Sequence, residues 1–173
     1  VIYQMLTNFD IERLCEKLDL DIVGVFSKNE LRNIPRQLGG YYINLADSDK
    51  EGSHWVFAYI YSDDDRWADS DDDLSSSSDY KKTNALYFDV FGIGMPKAVK
   101  AFLKPFGKIP CNNREIQDIN TTECGWYCIS LHYALEKMRH KETYLEDYEK
   151  YLGMWSDNPK KNLKLLKAFF KPL

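Results

Sequence analysis

Residues 116 to 135 read IQDINTTECGWYCISLHYAL, and the apolar helix that opens there at Cys124 constrains the fold more than any other stretch. Apolar spacing carries this helix to about residue 138, with Cys128, Leu131, Leu135 and Met138 recurring along it. A helix with so much apolar surface must be buried, passing through or beside a sheet. Strands are expected near residues 41 to 45, 54 to 61 and 85 to 91, where aromatic and β-branched residues concentrate. A first helix is expected over residues 8 to 18, capped by Thr7 or Asn8, with Ile11, Leu14, Cys15 and Leu18 on one face. A short helix after Pro96 covers residues 98 to 103, an extended piece covers 114 to 117, and two outer helices cover 143 to 152 and 159 to 170. The expected class is α+β, helices around one small sheet, in a single domain spanning residues 1 to 173 with no Pro-rich or Gly/Ser-rich linker.

Placing Cys124 at the start of that helix gives its thiol unpaired backbone N–H groups and the positive end of the helix dipole, which stabilise a thiolate and can bind an oxyanion. Taken alone, a free cysteine is most often a small buried hydrophobe. A nucleophile also needs a base, and the chain has three histidines. His132 lies eight residues down the same helix, roughly 12 Å away at 1.5 Å per residue, and His140 lies further still. His54 remains, at the mouth of the strand in GSHWVFAYIY. Asp89 sits within the apolar run ALYFDVFG, where an ionised carboxylate needs a cation or hydrogen-bond donors; His54 is such a partner, and a turn amide near Gly92 is another. Trp55 reads equally as a core aromatic. Cys124, Cys128 and His132 at i, i+4 and i+8 raise zinc as a rival, but no second Cys or His pair closes a tetrahedron. In chain order, His54, Asp89, Gln117 and Cys124 offer the parts of a thiol protease, although a lone loop glutamine such as Gln117 ordinarily faces solvent.

Four pieces of the chain resemble the adenain-like and SUMO-protease-like cysteine proteases of adenoviruses and other large DNA viruses. They are GYYINL, GSHWVFAYI, YFDVFG and NNREIQDINTTECGWYC, together covering roughly residues 39 to 135. The segments LTNFDIERLCEKL and VGVFSKNEL are most similar to the short maturation proteases of virophages and Polinton-type elements. The resemblance implies an adenain-like, papain-related fold: a small central mixed sheet flanked by helices, with the nucleophile at the N-terminus of a central helix. It implies Cys124 as nucleophile, His54 as base, Asp89 as its orienter and Gln117, seven residues before the cysteine, as oxyanion donor. It further implies that Trp55 roofs a channel admitting only glycine-sized residues, with Gly125 allowing close approach of the backbone. Expected substrates are viral capsid or other structural precursors cut at glycine-containing sites. The cellular branch, which removes ubiquitin-like modifiers, is the alternative, and an inactive virion protein of the same fold is a third reading. No metal or organic cofactor is expected.

Charge and cysteine usage bear on partners and compartment. Residues 62 to 82 open with SDDDRWADSDDDLSSSSD, which cannot support a core and reads as an acidic, flexible insertion between the strands carrying His54 and Asp89. A net charge of −4 argues against a DNA activator, which the resemblance raises; only the C-terminal KKNLKLLKAFFK offers a basic stripe. A peptide activator is likewise not favoured. Cys15, Cys111, Cys124 and Cys128 show no disulfide framework and no secretion signal precedes them, so the expectation is a monomer in a reducing compartment, the virion and the host cytoplasm. Cys15 is expected in the core, and Cys111 as a loop thiol. No apolar run approaches the ~20 residues needed to span a bilayer.

Overall fold

Strand β3, Trp55–Ser62, is buried at every position, because a layer of helices covers one of its faces and a shorter helical layer covers the other. The computed structural model describes residues 4–49, 53–63, 82–138 and 143–172. Around β3 lie β1 (Ile22–Ser27), β2 (Gly39–Asn44) and β4 (Thr83–Phe88), in the spatial order β1-β2-β3-β4. The β1–β2 pair is parallel and the other two are antiparallel, so the sheet is mixed.

The period of two along the strands divides the core. Tyr42, Trp55, Phe57, Tyr59, Tyr61, Leu86 and Phe88 face one side, where they meet α1 (Asn8–Lys17), α3 (Cys124–Lys137), α4 (Tyr144–Gly153) and α5 (Pro159–Phe170). Tyr41, Ile43, Val56, Ala58, Ile60, Ala85 and Tyr87 face the other and pack on α2 (Lys97–Leu103) through Val99, Phe102 and Leu103. Each large side chain fully withdrawn from water in these layers contributes about 1.5–3 kcal/mol.

Helix starts follow local chemistry. Thr7 with Asp10, and Thr143 with Glu146, form reciprocal capping boxes at α1 and α4, and Asn158 caps α5 ahead of Pro159 at its first turn. By contrast, no side chain caps α3. Of its first-turn amides, those of Trp126 and Tyr127 donate to the Glu123 carbonyl at 2.9 and 3.2 Å.

Several expectations need correction. Strand β1 escaped the sequence reading: it is half-buried throughout, carries Gly24 at an irregularity in its register with β2, and so lacks a clean alternation. β4 ends at Phe88, not at residue 91; Asp89 lies in a turn whose Gly92 amide donates to the Asp89 carbonyl at 2.8 Å. No strand forms over residues 114 to 117: the Ile116 and Gln117 amides both donate to the single Val90 carbonyl, at 2.7 and 3.2 Å. Met138, expected on the apolar side of the central helix, follows its last turn and is 41% exposed. Most of the acidic stretch, residues 64 to 81, lies outside the described residues, as does His140.

Candidate active site

His54 precedes β3 by one residue, and its carbonyl accepts the Leu45 amide at 3.0 Å, which fixes its backbone to the end of β2. Its Nε2 meets Asp89 Oδ1 at 2.7 Å. The Phe91 ring stacks on the imidazole with centroids 4.2 Å apart and planes 18° from parallel. Burial is the largest single influence on His54 and disfavours its charge. Hydrogen bonds to Asp89 and to Cys124, and the charges of both, outweigh it and raise the imidazole from 6.5 to about 9. With Asp89 on Nε2, the other ring nitrogen is the one left to serve the thiol.

Asp89 is 2% exposed and its Oδ1 also accepts the Phe91 amide at 2.9 Å. Both partners foreseen for this carboxylate, the histidine and a turn amide, are thus engaged at once. The backbone of Asp89 is held by one side chain: its N–H donates to Asn112 Oδ1 at 3.0 Å, and Asn112 Nδ2 donates to its carbonyl.

Cys124 begins α3 and is buried, with the Trp55 amide donating to its sulfur at 3.4 Å. One turn on, the Cys128 thiol donates to the Trp55 carbonyl at 3.7 Å. Two cysteines at i and i+4 therefore bracket one strand residue and set α3 against the start of β3, beside His54. Burial holds the Cys128 thiol well above its ordinary range, so it is an inert neighbour. His132 bonds elsewhere, to Tyr42 at 2.9 Å and Glu136 at 2.8 Å, so Cys124, Cys128 and His132 do not converge on a zinc site.

Gln117 is 2% exposed, which departs from the usual solvent-facing loop glutamine. Its Nε2 donates to the Thr121 carbonyl at 2.9 Å, tying it to the loop that leads into Cys124, while its buried Oε1 has no hydrogen-bond partner. A primary amide has two N–H bonds, so one donor remains after Thr121.

Trp55 lines a cavity of about 640 Å³ together with Met5–Asn8 of the N-terminal segment, the end of β1 at Val25, Phe26 and Ser27, and the β2–β3 connection. Its indole N–H donates to the Leu6 carbonyl at 2.8 Å. Gly125 does not line this cavity. A Cβ there would lie 3.2 Å from Leu6 and 3.3 Å from Trp55, so the space it frees is filled by the chain itself. Phe91, Asn112 and Leu6 were not singled out in the sequence. Each acts through tertiary contact, and only the turn-forming FG dipeptide after Asp89 hints at any of them.

No protein-family model matches the chain, and no curated protein matches its sequence. Among solved structures, the fold is similar to the crystal structure of a selenomethionine ASFV protease, at 16% identity and a TM-score of 0.44 over 89% of this chain and 69% of that one.

Proposed function

We propose that this chain is a cysteine-type endopeptidase that hydrolyses peptide bonds through an acyl-enzyme. The observation that carries the reading is the pairing of His54 with buried Asp89 at 2.7 Å, while the amide of the next residue, Trp55, donates at 3.4 Å to the Cys124 sulfur at the start of α3. His54 takes the thiol proton, and the Cys124 sulfur attacks the scissile carbonyl carbon. The carbonyl oxygen gains the negative charge, which the free Gln117 N–H and the Cys124 amide are suited to receive. The imidazolium then gives its proton to the leaving amine as the C–N bond breaks. Water, losing a proton to His54, attacks the thioester and releases the acid with the thiol restored.

The substrate reading is glycine-containing sites in viral structural precursors, as in capsid maturation, with Trp55 limiting side-chain size beside the nucleophile. It is supported by the resemblance carried by GSHWVFAYI and NNREIQDINTTECGWYC and by the position of Trp55, whose amide donates to the Cys124 sulfur.

A panel of Gly-Gly and Gly-X peptides, run beside ubiquitin-like conjugates with Cys124→Ala as control, tests the reading. Cleavage of short glycine peptides that vanishes in the control is expected. Turnover confined to folded modifiers would move the chain to the deconjugating branch, and turnover surviving in Cys124→Ala would overturn the assignment.

A further inference from the structure

Asp89 stands one residue beyond the end of β4, just past Phe88, the last β4 residue with a strand partner. Asn112 takes that place. A primary amide carries a donor and an acceptor side by side, as a peptide group does, and Asn112 uses both on one residue. Its Oδ1 accepts the Asp89 N–H at 3.0 Å, and its Nδ2 donates to the Asp89 carbonyl and, at 3.3 Å, to the Arg114 carbonyl. The side chain is buried, at 7% exposure. Removing it would leave the Asp89 N–H without its partner, at a cost of about 1–3 kcal/mol if it stayed dry, while the Asp89 carbonyl would keep only the Gly92 amide.

The segment that follows Asn112 closes the same turn from outside. Gly92 adopts φ 65°, and a Cβ on it would lie 2.6 Å from the Arg114 backbone, so residues 112 to 114 press directly on the turn that follows Asp89. From the next residue of that turn, the Val90 carbonyl accepts the Ile116 and Gln117 amides. The orienting carboxylate and the segment bearing Gln117 are therefore registered to one another at this point. Nothing else among the described side chains fixes the Asp89 backbone.

We propose that Asn112 is a positioning residue: its amide, acting on the backbone of Asp89, aims the carboxylate at His54 and so sets the imidazole for its work at Cys124. The proposal rests on the protease reading for its kinetic consequence but not for its geometric one. Two titratable groups face His54, Asp89 and Cys124, and only the first is held by Asn112. Loss of the clamp should therefore weaken the Asp89 contact and leave the thiol in place.

The test is the titration of His54 by NMR in isotopically labelled wild-type and Asn112→Ala chains, assigned with His54→Gln, with near-ultraviolet circular dichroism as a check on packing. The midpoint is expected to fall in Asn112→Ala by about one pH unit or more from its wild-type position near 9. On the best glycine peptide, kcat should fall roughly 10- to 100-fold with KM nearly unchanged. Adding Asn112→Ala to an Asp89→Ala background should cause no further loss.

An unmoved midpoint in a natively packed Asn112→Ala chain would overturn the proposal, as would an equal kinetic loss in the Asp89→Ala background. If Asn112→Ala does not fold, Asn112→Ser, whose hydroxyl can serve only one of the two backbone groups, takes its place. Failure of both to fold would make Asn112 a purely structural residue and also overturn the proposal. A wild-type chain that cleaves no peptide while the midpoint still shifts would refute the protease reading and leave the positioning role standing.

Discussion

His54 sits between opposed influences, and its behaviour with pH follows from which one wins. Burial disfavours the imidazolium, yet Asp89 and Cys124 hold it up to about 9, above its ordinary 6.5. The folded state therefore binds this proton more tightly than the unfolded chain. The stability it contributes is complete below 6.5 and is lost as pH rises through 9. Urea midpoints should accordingly decline over that window in the wild type and be flatter in Asp89→Asn, where the pairing charge is gone. The alkaline limb of kcat/KM should fall near the same upper value and move down in Asp89→Asn. Gln117 makes a separate prediction. Its amide is tied to the Thr121 carbonyl and has one donor to spare, so Gln117→Ala should lower kcat roughly 100- to 1,000-fold and leave KM almost unchanged in steady-state assays.

At the scale of elements, α3 is held at two levels. Near its start, Cys124 and Cys128 bracket Trp55. Two turns down, fully buried His132 joins the Tyr42 hydroxyl at 2.9 Å to Glu136 at 2.8 Å, and Glu136 also accepts the Tyr59 hydroxyl at 3.1 Å and the Asp21 amide at 2.9 Å. Burial works against the Glu136 carboxylate, but His132 and the Asp21 and Tyr59 donors outweigh it and hold it below 4.5. Its contribution is present above 4.5 and lost as pH falls through its lower folded value. Glu136→Gln should therefore lower the neutral-pH urea midpoint and flatten the loss of stability on acidification.

The sequence made some of these elements legible and hid others, for physical reasons. α1, α2, α3, α4 and α5 were readable because apolar spacing, the Thr7 box and Pro159 are local signals. β1 was not, since a half-buried edge strand interrupted by glycine has neither a clean alternation nor a solid apolar run. The His54–Asp89 pairing was legible as chemistry, because a carboxylate in an apolar run demands a partner. The Asp89 clamp, the Phe91 stack and the filling of the space over Gly125 by Leu6 were illegible, since each joins residues far apart in the chain.

Across the whole molecule, the sheet carries His54 at the start of β3 and Asp89 just past β4, and α3 brings the Cys124 thiol to this junction from the helical side. The N-terminal segment closes over this junction, with the indoles of Trp55 and Trp126 donating to the Leu6 and Gln4 carbonyls at 2.8 and 3.0 Å. A cavity of about 640 Å³ beside Trp55 has room for side chains much larger than glycine. Extending a glycine peptide on its acyl side by several residues should therefore lower KM, a trend that a length series measures directly.

Two thiols make the central claim testable by chemistry alone, because Cys111 is exposed while Cys124 is buried. The decisive measurement is peptide mapping by mass spectrometry after treatment with a Gly-Gly peptide bearing a vinyl sulfone in place of the scissile bond. A single adduct on Cys124, absent in His54→Ala, is the predicted result. Labelling that follows exposure, on Cys111 and indifferent to His54, would contradict the account.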